Sequence, residues 1–212
     1  MVPTRPHRWT VLIVLLVTLV NNPTSIFFCF AQESTPQELL LEAVRADDPT
    51  GIQRAITVLG ADINLPGGGG QTPLVHAVLS GKIQAVQTLL QLGANVDIPE
   101  KDGYTVAHAA GFQGRAEILK ILAAYSNEEG KKAIDLMHQH ADGFYPFHRA
   151  CWGREQRHTD TVQAFLDLGV PPNLQAANGQ DCLTMTKNPA TRALVQAALE
   201  KTTTSSSSSS EL

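Results

Sequence analysis

Residues 70–98 read GQTPLVHAVLSGKIQAVQTLLQLGANVDI. Thr72-Pro73-Leu74 opens the stretch, Gly81 divides it, and Leu89-Leu90 precede Gly93-Ala94-Asn95. Elementary chemistry fits two short helices. A threonine can cap a helix start, and proline fits a first turn, where no amide bond is lost. Gly81 punctuates the turn between the helices, and Gly93 stops the second one. Leu89 and Leu90 fall on one apolar stripe at helical spacing.

The same pattern recurs along the chain. Thirty-three residues after Thr72 comes Thr105, in GYTVAHAAGFQGRAEILKIL (103–122), with Gly114 where Gly81 stood. Forty residues later Tyr145 opens YPFHRACWG, and thirty-six after that Asp181 opens the weaker DCLTMTKNP. An N-terminal copy, residues 39–64, ends in Gly60-Ala61-Asp62-Ile63-Asn64, matching Gly93-Ala94-Asn95-Val96-Asp97. Leu89, Leu90, Ile118, Leu119, Leu122, Val162, Phe165 and Leu166 repeat in phase and are the expected core, while Ala77, Ala110 and Ala150 let helices approach. No copy can bury its apolar face alone, so stacking must supply the stability.

A period of 33 with TPL-x-x-A, a central glycine and LL-x-x-GA resembles the ankyrin repeat. The likeness runs over about residues 39–200 and implies an all-α solenoid of four to five helix-turn-helix repeats joined by short β-hairpins. The spacing of 40 adds seven residues within 126–141, expected as a longer second helix or a protruding loop lacking the Gly-Ala-Asp ending. The spacing of 36 adds three, expected to lengthen the helix–helix turn between Trp152 and Asp160. The first and last copies diverge, as solenoid caps do.

The chain ends lie outside the repeats. Arg5, His7 and Arg8 precede the apolar run 9–20, WTVLIVLLVTLV, and a second patch closes on Cys29-Phe30-Ala31. The first run is short of the roughly 20 residues a membrane span needs. Residues 1–31 therefore read as a secretory signal cleaved before Gln32, with a retained membrane anchor as the alternative. The expected destination is the secretory pathway, the cell exterior or another exported compartment. Residues 32–200 form the repeat domain, and 201–212, rich in Ser and Thr, are expected to be a disordered tail. Arg5 and Arg8 are the only charged residues before Gln32, so the remainder carries 14 basic and 20 acidic groups, net −6. That balance excludes a generic nucleic-acid binder, which needs a basic face.

Catalytic chemistry finds no support. The run Gly67–Gly70 lacks the Gly-Lys-Ser/Thr of a phosphate loop and reads as a hairpin tip. Ser80, Ser126 and Cys151 lack the context of an activated nucleophile. No cofactor and no enzymatic activity are expected. His138, His140 and His158 could converge on a metal, and Cys151 with Cys182 could respond to redox state; a metal- or redox-responsive binding protein is the alternative function. One cysteine pair in an exported chain permits a disulfide without implying it. The register places Cys151 and Cys182 at different heights in neighbouring helices, so two buried thiols are expected. The resemblance implies that His108 and His148 bond to backbone between repeats; His76, one position later, is expected to be solvated.

The resemblance also implies a concave recognition surface, built from hairpin tips and outward positions of each first helix. The residue before the motif threonine is Gln71, Tyr104, Phe144 or Gln180, and the residue seven beyond it is Leu79, Phe112, Trp152 or Asn188. Tyr104, Phe112, Phe144 and Trp152 thus share one strip, the composition of an interaction hot spot. Phe112 and Trp152 folding inward is the competing arrangement. Arg149, at a solvent-facing position, with Arg115, Arg154 and Arg157 ringing the strip, would suit an acidic or aromatic peptide. The expected protein is a monomeric protein–protein interaction module that contacts its partner through Tyr104, Phe112, Phe144, Arg149 and Trp152.

Overall fold

A computed structural model of the protein describes residues 34–125 and 134–207. The signal or anchor stretch and the core of the first insertion lie outside the described residues. Among the described residues there are ten helices and no strand. They form five antiparallel pairs: α1 (Pro36–Ala46) with α2 (Pro49–Thr57), α3 (Pro73–Ser80) with α4 (Ile83–Gln91), and α5 (Val106–Gln113) with α6 (Ala116–Ala124). Then follow α7 (Pro146–Cys151) with α8 (Gln156–Asp167), and α9 (Cys182–Met185) with α10 (Pro189–Ser207). First helices stack on first helices and second on second, α3 on α5 and α5 on α7, α4 on α6 and α6 on α8. This is the all-α ankyrin solenoid that the repeat period implies.

The caps act as the motif residues dictate. The Thr72 hydroxyl accepts the Val75 amide at 3.2 Å. In the divergent last copy Asp181 takes the same role and accepts the Thr184 amide at 2.8 Å. The in-phase apolar residues form one continuous core, with Leu89, Leu119, Leu122 and Phe165 fully buried and Leu166 at its edge. Ala77, Ala110 and Ala150 are also fully buried, where any larger side chain would separate the helices.

The connections are tight turns with a fixed rule. Five residues before each motif position an amide donates to the carbonyl one before it: Gly67 to Gln71, Glu100 to Tyr104, His140 to Phe144 and Ala176 to Gln180. The residue two before the motif position is always glycine with positive φ: Gly70 (74°), Gly103 (88°), Gly143 (85°) and Gly179 (78°). L-residues rarely adopt that conformation, which is why glycine recurs there. Successive turns are tied together by Lys101 donating to the Gly70 carbonyl and Ala177 to that of Gly143.

Four expectations need correction. First, of the two forms expected for the insertion, the longer second helix is not the one adopted, because α6 has nine residues, as α4 does. The Gly-Ala is absent as expected, but its Asx turn is kept: the Asp135 carboxylate accepts the Met137 amide at 2.8 Å, as Asp62 accepts Asn64 and Asn95 accepts Asp97. Second, α8 starts eleven residues after Tyr145, just as α6 starts eleven after Thr105, and runs for 12 residues. The three extra residues extend this helix and leave the start of the second helix in register.

Third, α10 continues to Ser207, into the stretch expected to be disordered. Its buried turn around Val195 supplies the nucleus, after which each added residue costs little. Fourth, Cys151 and Cys182 are joined in a disulfide, with Cα atoms 5.4 Å apart. The residue six past one motif position lies against the residue one past the next. Gly111 meets Pro146 by this rule, and Cys151 meets Cys182. The offset in sequence register is what brings the two sulfurs to one height.

Candidate partner-binding surface

The site is built where the α5 and α7 repeats meet. Gly111 makes the meeting close: a Cβ there would lie 2.4 Å from the Pro146 carbonyl oxygen and 3.4 Å from the Arg149 Cβ. His108 closes the seam. Its Nδ1 faces the Thr105 hydroxyl at 2.8 Å and its Nε2 faces the Phe144 carbonyl at 3.5 Å. His148 repeats this one unit on, receiving the Tyr145 amide at Nδ1 and facing the Leu174 carbonyl with Nε2 at 3.0 Å. Burial pushes both imidazoles towards the neutral form, His108 down to about 4, although the bond to the Phe144 carbonyl opposes it. These are the inter-repeat backbone contacts that the resemblance implies. His76, expected to be solvated, is half-buried, and burial and then Arg45 lower its pKa.

Arg149 is the centre of the cluster and is not solvent-facing: it is 7% exposed. Its guanidinium carbon lies 4.8 Å from the Tyr104 ring centroid, 4.7 Å from Trp152 and 5.5 Å from Phe144. Its Nη2 donates to the Asp142 carboxylate in a close ion pair. A guanidinium between aromatic faces is attracted by their quadrupoles, and the effect grows as water is excluded. Asp142 is held together from several sides. Burial alone would raise its pKa, but the bonds from Arg149, His140 and the Phe144 amide hold it well below the usual carboxylate range. Tyr104 completes the assembly, stacked on His140 at 3.8 Å and donating its hydroxyl to Asp142 at 3.3 Å. Phe144 meets Trp152 edge-on at 4.9 Å.

The five candidate residues thus divide. Tyr104, Phe144, Arg149 and Trp152 form one packed unit. Phe112, 59% exposed, borders it, and Trp152 keeps 39% of its surface open. Both point outward, against the inward alternative. Beside the unit runs a groove of about 460 Å³ lined by Gln71, Leu79, Glu100, Tyr104, Phe112 and Arg149, among others. Asn188, the fourth residue of the strip by register, is buried and donates to the Arg154 carbonyl and the Thr159 hydroxyl.

Arg115 and Arg157 do not ring the strip. Arg115 donates to the Leu79 carbonyl and packs over Gly81, while Arg157 packs over Gly114 and pairs with Glu155. Both clamp the turn of the preceding repeat. Two of the three candidate metal histidines, His140 and His158, are separately engaged. His140 Nε2 faces the Asp102 carbonyl at 2.8 Å, and His158 Nε2 faces the Phe112 carbonyl at 3.3 Å. No group of three or more His, Cys, Asp or Glu suited to a metal occurs among the described residues. Sequence reasoning missed Asp142 and Glu100, and gave His140 a metal role in place of its contacts with Tyr104 and Asp142. An acid three before the motif position, with an arginine four after it, was the available signal for Asp142.

A stack of helix pairs with glycine-tipped turns and a groove across its first helices defines a repeat solenoid. The family described as "Ankyrin repeats (3 copies)" matches residues 40–135. The Notch-regulated ankyrin repeat-containing protein of Xenopus tropicalis is 31% identical over 102 residues, covering 44% of this chain and 90% of that protein. The transient receptor potential cation channel subfamily A member 1 homolog of Caenorhabditis elegans is 33% identical over 121 residues, 54% of this chain and 9% of that protein. The B-cell lymphoma 3 protein homolog of Mus musculus is 33% identical over 96 residues, 43% of this chain and 21% of that protein. The chain belongs to the ankyrin-repeat family. Ankyrin repeats are generally protein–protein interaction modules and typically not enzymes.

Proposed function

We propose that this chain is an adaptor that holds a protein partner in the groove across α3, α5 and α7. The observation that carries this is the exposure of two large aromatics, Phe112 lining the groove and Trp152 packed on Arg149, next to the linked Tyr104–Arg149–Asp142 unit. Exposed aromatics on a preorganised base lose little entropy on binding, as hot spots require. A Phe112→Ala/Trp152→Ala double variant tests it. The reading expects native helicity and at least a tenfold loss of affinity for a partner purified with the chain from its source; undiminished affinity would refute it.

We infer further that the protein works in an exported compartment. Two features support this: the basic-then-apolar stretch before Gln32, and the Cys151–Cys182 disulfide, a bond that persists in oxidising surroundings. Among the described residues no helix is long and apolar enough to cross a membrane. Sequencing the mature N-terminus should give Gln32. A chain still beginning at Met1 in the membrane fraction would favour the anchor instead.

A further inference from the structure

The sign of the groove's charge is opposite to what its arginine suggests. Among the lining residues, Glu100 and Arg149 carry formal charge. Arg149 is buried, its positive charge is neutralised by Asp142, and three aromatic rings enclose it. His108 adds no positive charge at neutral pH, because burial keeps it unprotonated. Lys101 neighbours Glu100 in sequence but does not line the groove. Glu100 itself is half-exposed, receives a hydrogen bond from the Gln71 side-chain amide at 3.3 Å, and has no cationic partner among the described residues. Its carboxylate is the charge a ligand would meet. Around it lie the apolar surfaces of Leu79 and exposed Phe112.

Resting on the groove reading above, we infer that the partner enters with a basic, apolar-flanked segment, a lysine or arginine side chain meeting Glu100 and an apolar side chain against Leu79 and Phe112. The surrounding charge agrees: beyond residue 31 the chain is net −6, which steers cations inward and repels acidic segments. An acidic segment would have to face Glu100 with Arg149 already committed, and like charges brought together count against binding. The aliphatic stem of a lysine or arginine can lie along Phe112 while its charged head reaches the carboxylate.

Three blocked pentapeptides, acetyl-Gly-Phe-X-Leu-Gly-amide with X as arginine, glutamine or glutamate, test this on the purified chain with its disulfide intact. Amide shifts in a ¹⁵N spectrum give both location and affinity. The expected result is shifts at Gln71, Glu100 and Phe112, with the arginine peptide binding about tenfold more tightly than the glutamate one at low salt. Glu100→Gln should remove most of that preference, leaving only the weak bias the chain's net charge supplies. Equal or tighter binding of the glutamate peptide overturns the inference, as does a preference undiminished by Glu100→Gln. So does the absence of groove shifts with the arginine peptide. If all three peptides shift the groove amides equally, the charge inference fails and the groove reading stands; that reading is judged separately by the Phe112→Ala/Trp152→Ala variant against the native partner.

Discussion

Removing the Cys151–Cys182 bond is the perturbation with the best-defined magnitude. The bond closes a loop with a sequence separation of 31. The loop-closure relation for the unfolded chain then gives about 3.7 kcal/mol of stabilisation, inside the usual range of about 2–4 kcal/mol. Both sulfurs sit in fully buried residues, so a Cys151→Ala/Cys182→Ala variant keeps an apolar interior and tests mainly the crosslink. For a domain of roughly 165 residues the loss should lower Tm by about 6–12 °C. The effect should also be local. The bond ties α7 to α9, the four-residue helix of the C-terminal cap. In a solenoid each repeat leans only on its neighbours. Hydrogen exchange should therefore accelerate over α9 and α10 and change little over α3 and α4. Denaturant melts and exchange measured side by side check both points. An unchanged midpoint with unchanged exchange would refute the reasoning, and so would two free thiols in the native protein alkylated under denaturing conditions without reductant.

Three further outcomes follow from the packing and charge. Gly111→Ala gains roughly 1 kcal/mol of helix propensity but drives a methyl to 2.4 Å from the Pro146 carbonyl oxygen, so a net destabilisation of about 1–3 kcal/mol is expected in urea melts. Asp142→Ala leaves the buried Arg149 without its anion and should cost about 1.5–3 kcal/mol, whereas Glu155→Ala, which breaks the exposed pair with Arg157, should cost under about 1 kcal/mol. Acid should destabilise the repeats through their histidines: His108 and His148 have pKa values below the ordinary 6.5 in the folded chain, so the unfolded chain takes up protons first. Stability from these residues is complete above about pH 6.5 and falls as the pH drops towards about 4. A His108→Gln variant should show a shallower decline in denaturation midpoint over that interval.

The repeat period carried most of the fold. Thr72, Gly81 and Leu89 each have one local job, and the sequence pattern states it. What escaped was what depends on the offset between repeats. Cys151 and Cys182 lie six and one residues past their motif positions, which looks like a mismatch in a flat alignment. The stagger of stacked first helices turns it into a bond. Arg149 shows the same limit from another side. Its position predicts an outward side chain, but Tyr104, Asp142 and Trp152 come from different elements and close over it only in three dimensions. Asp135 was hidden because its Asx turn survives without the Gly-Ala that usually marks it. The aromatic strip was legible in Phe112 and Trp152, which are exposed at the register position seven past the motif residue, although Asn188 at the same position is buried. The groove's charge was not, since it depends on which of two charged residues is already paired.

The central claim is that a protein partner lies against the α5–α7 groove. A photo-activatable residue placed at Phe112 samples that surface, and the same residue at Val58, 72% exposed near the end of α2, samples the chain elsewhere. Irradiation in the native compartment should give a discrete protein adduct from position 112 and none of the same mass from position 58. An adduct from position 58 alone, or none from position 112, would contradict the account.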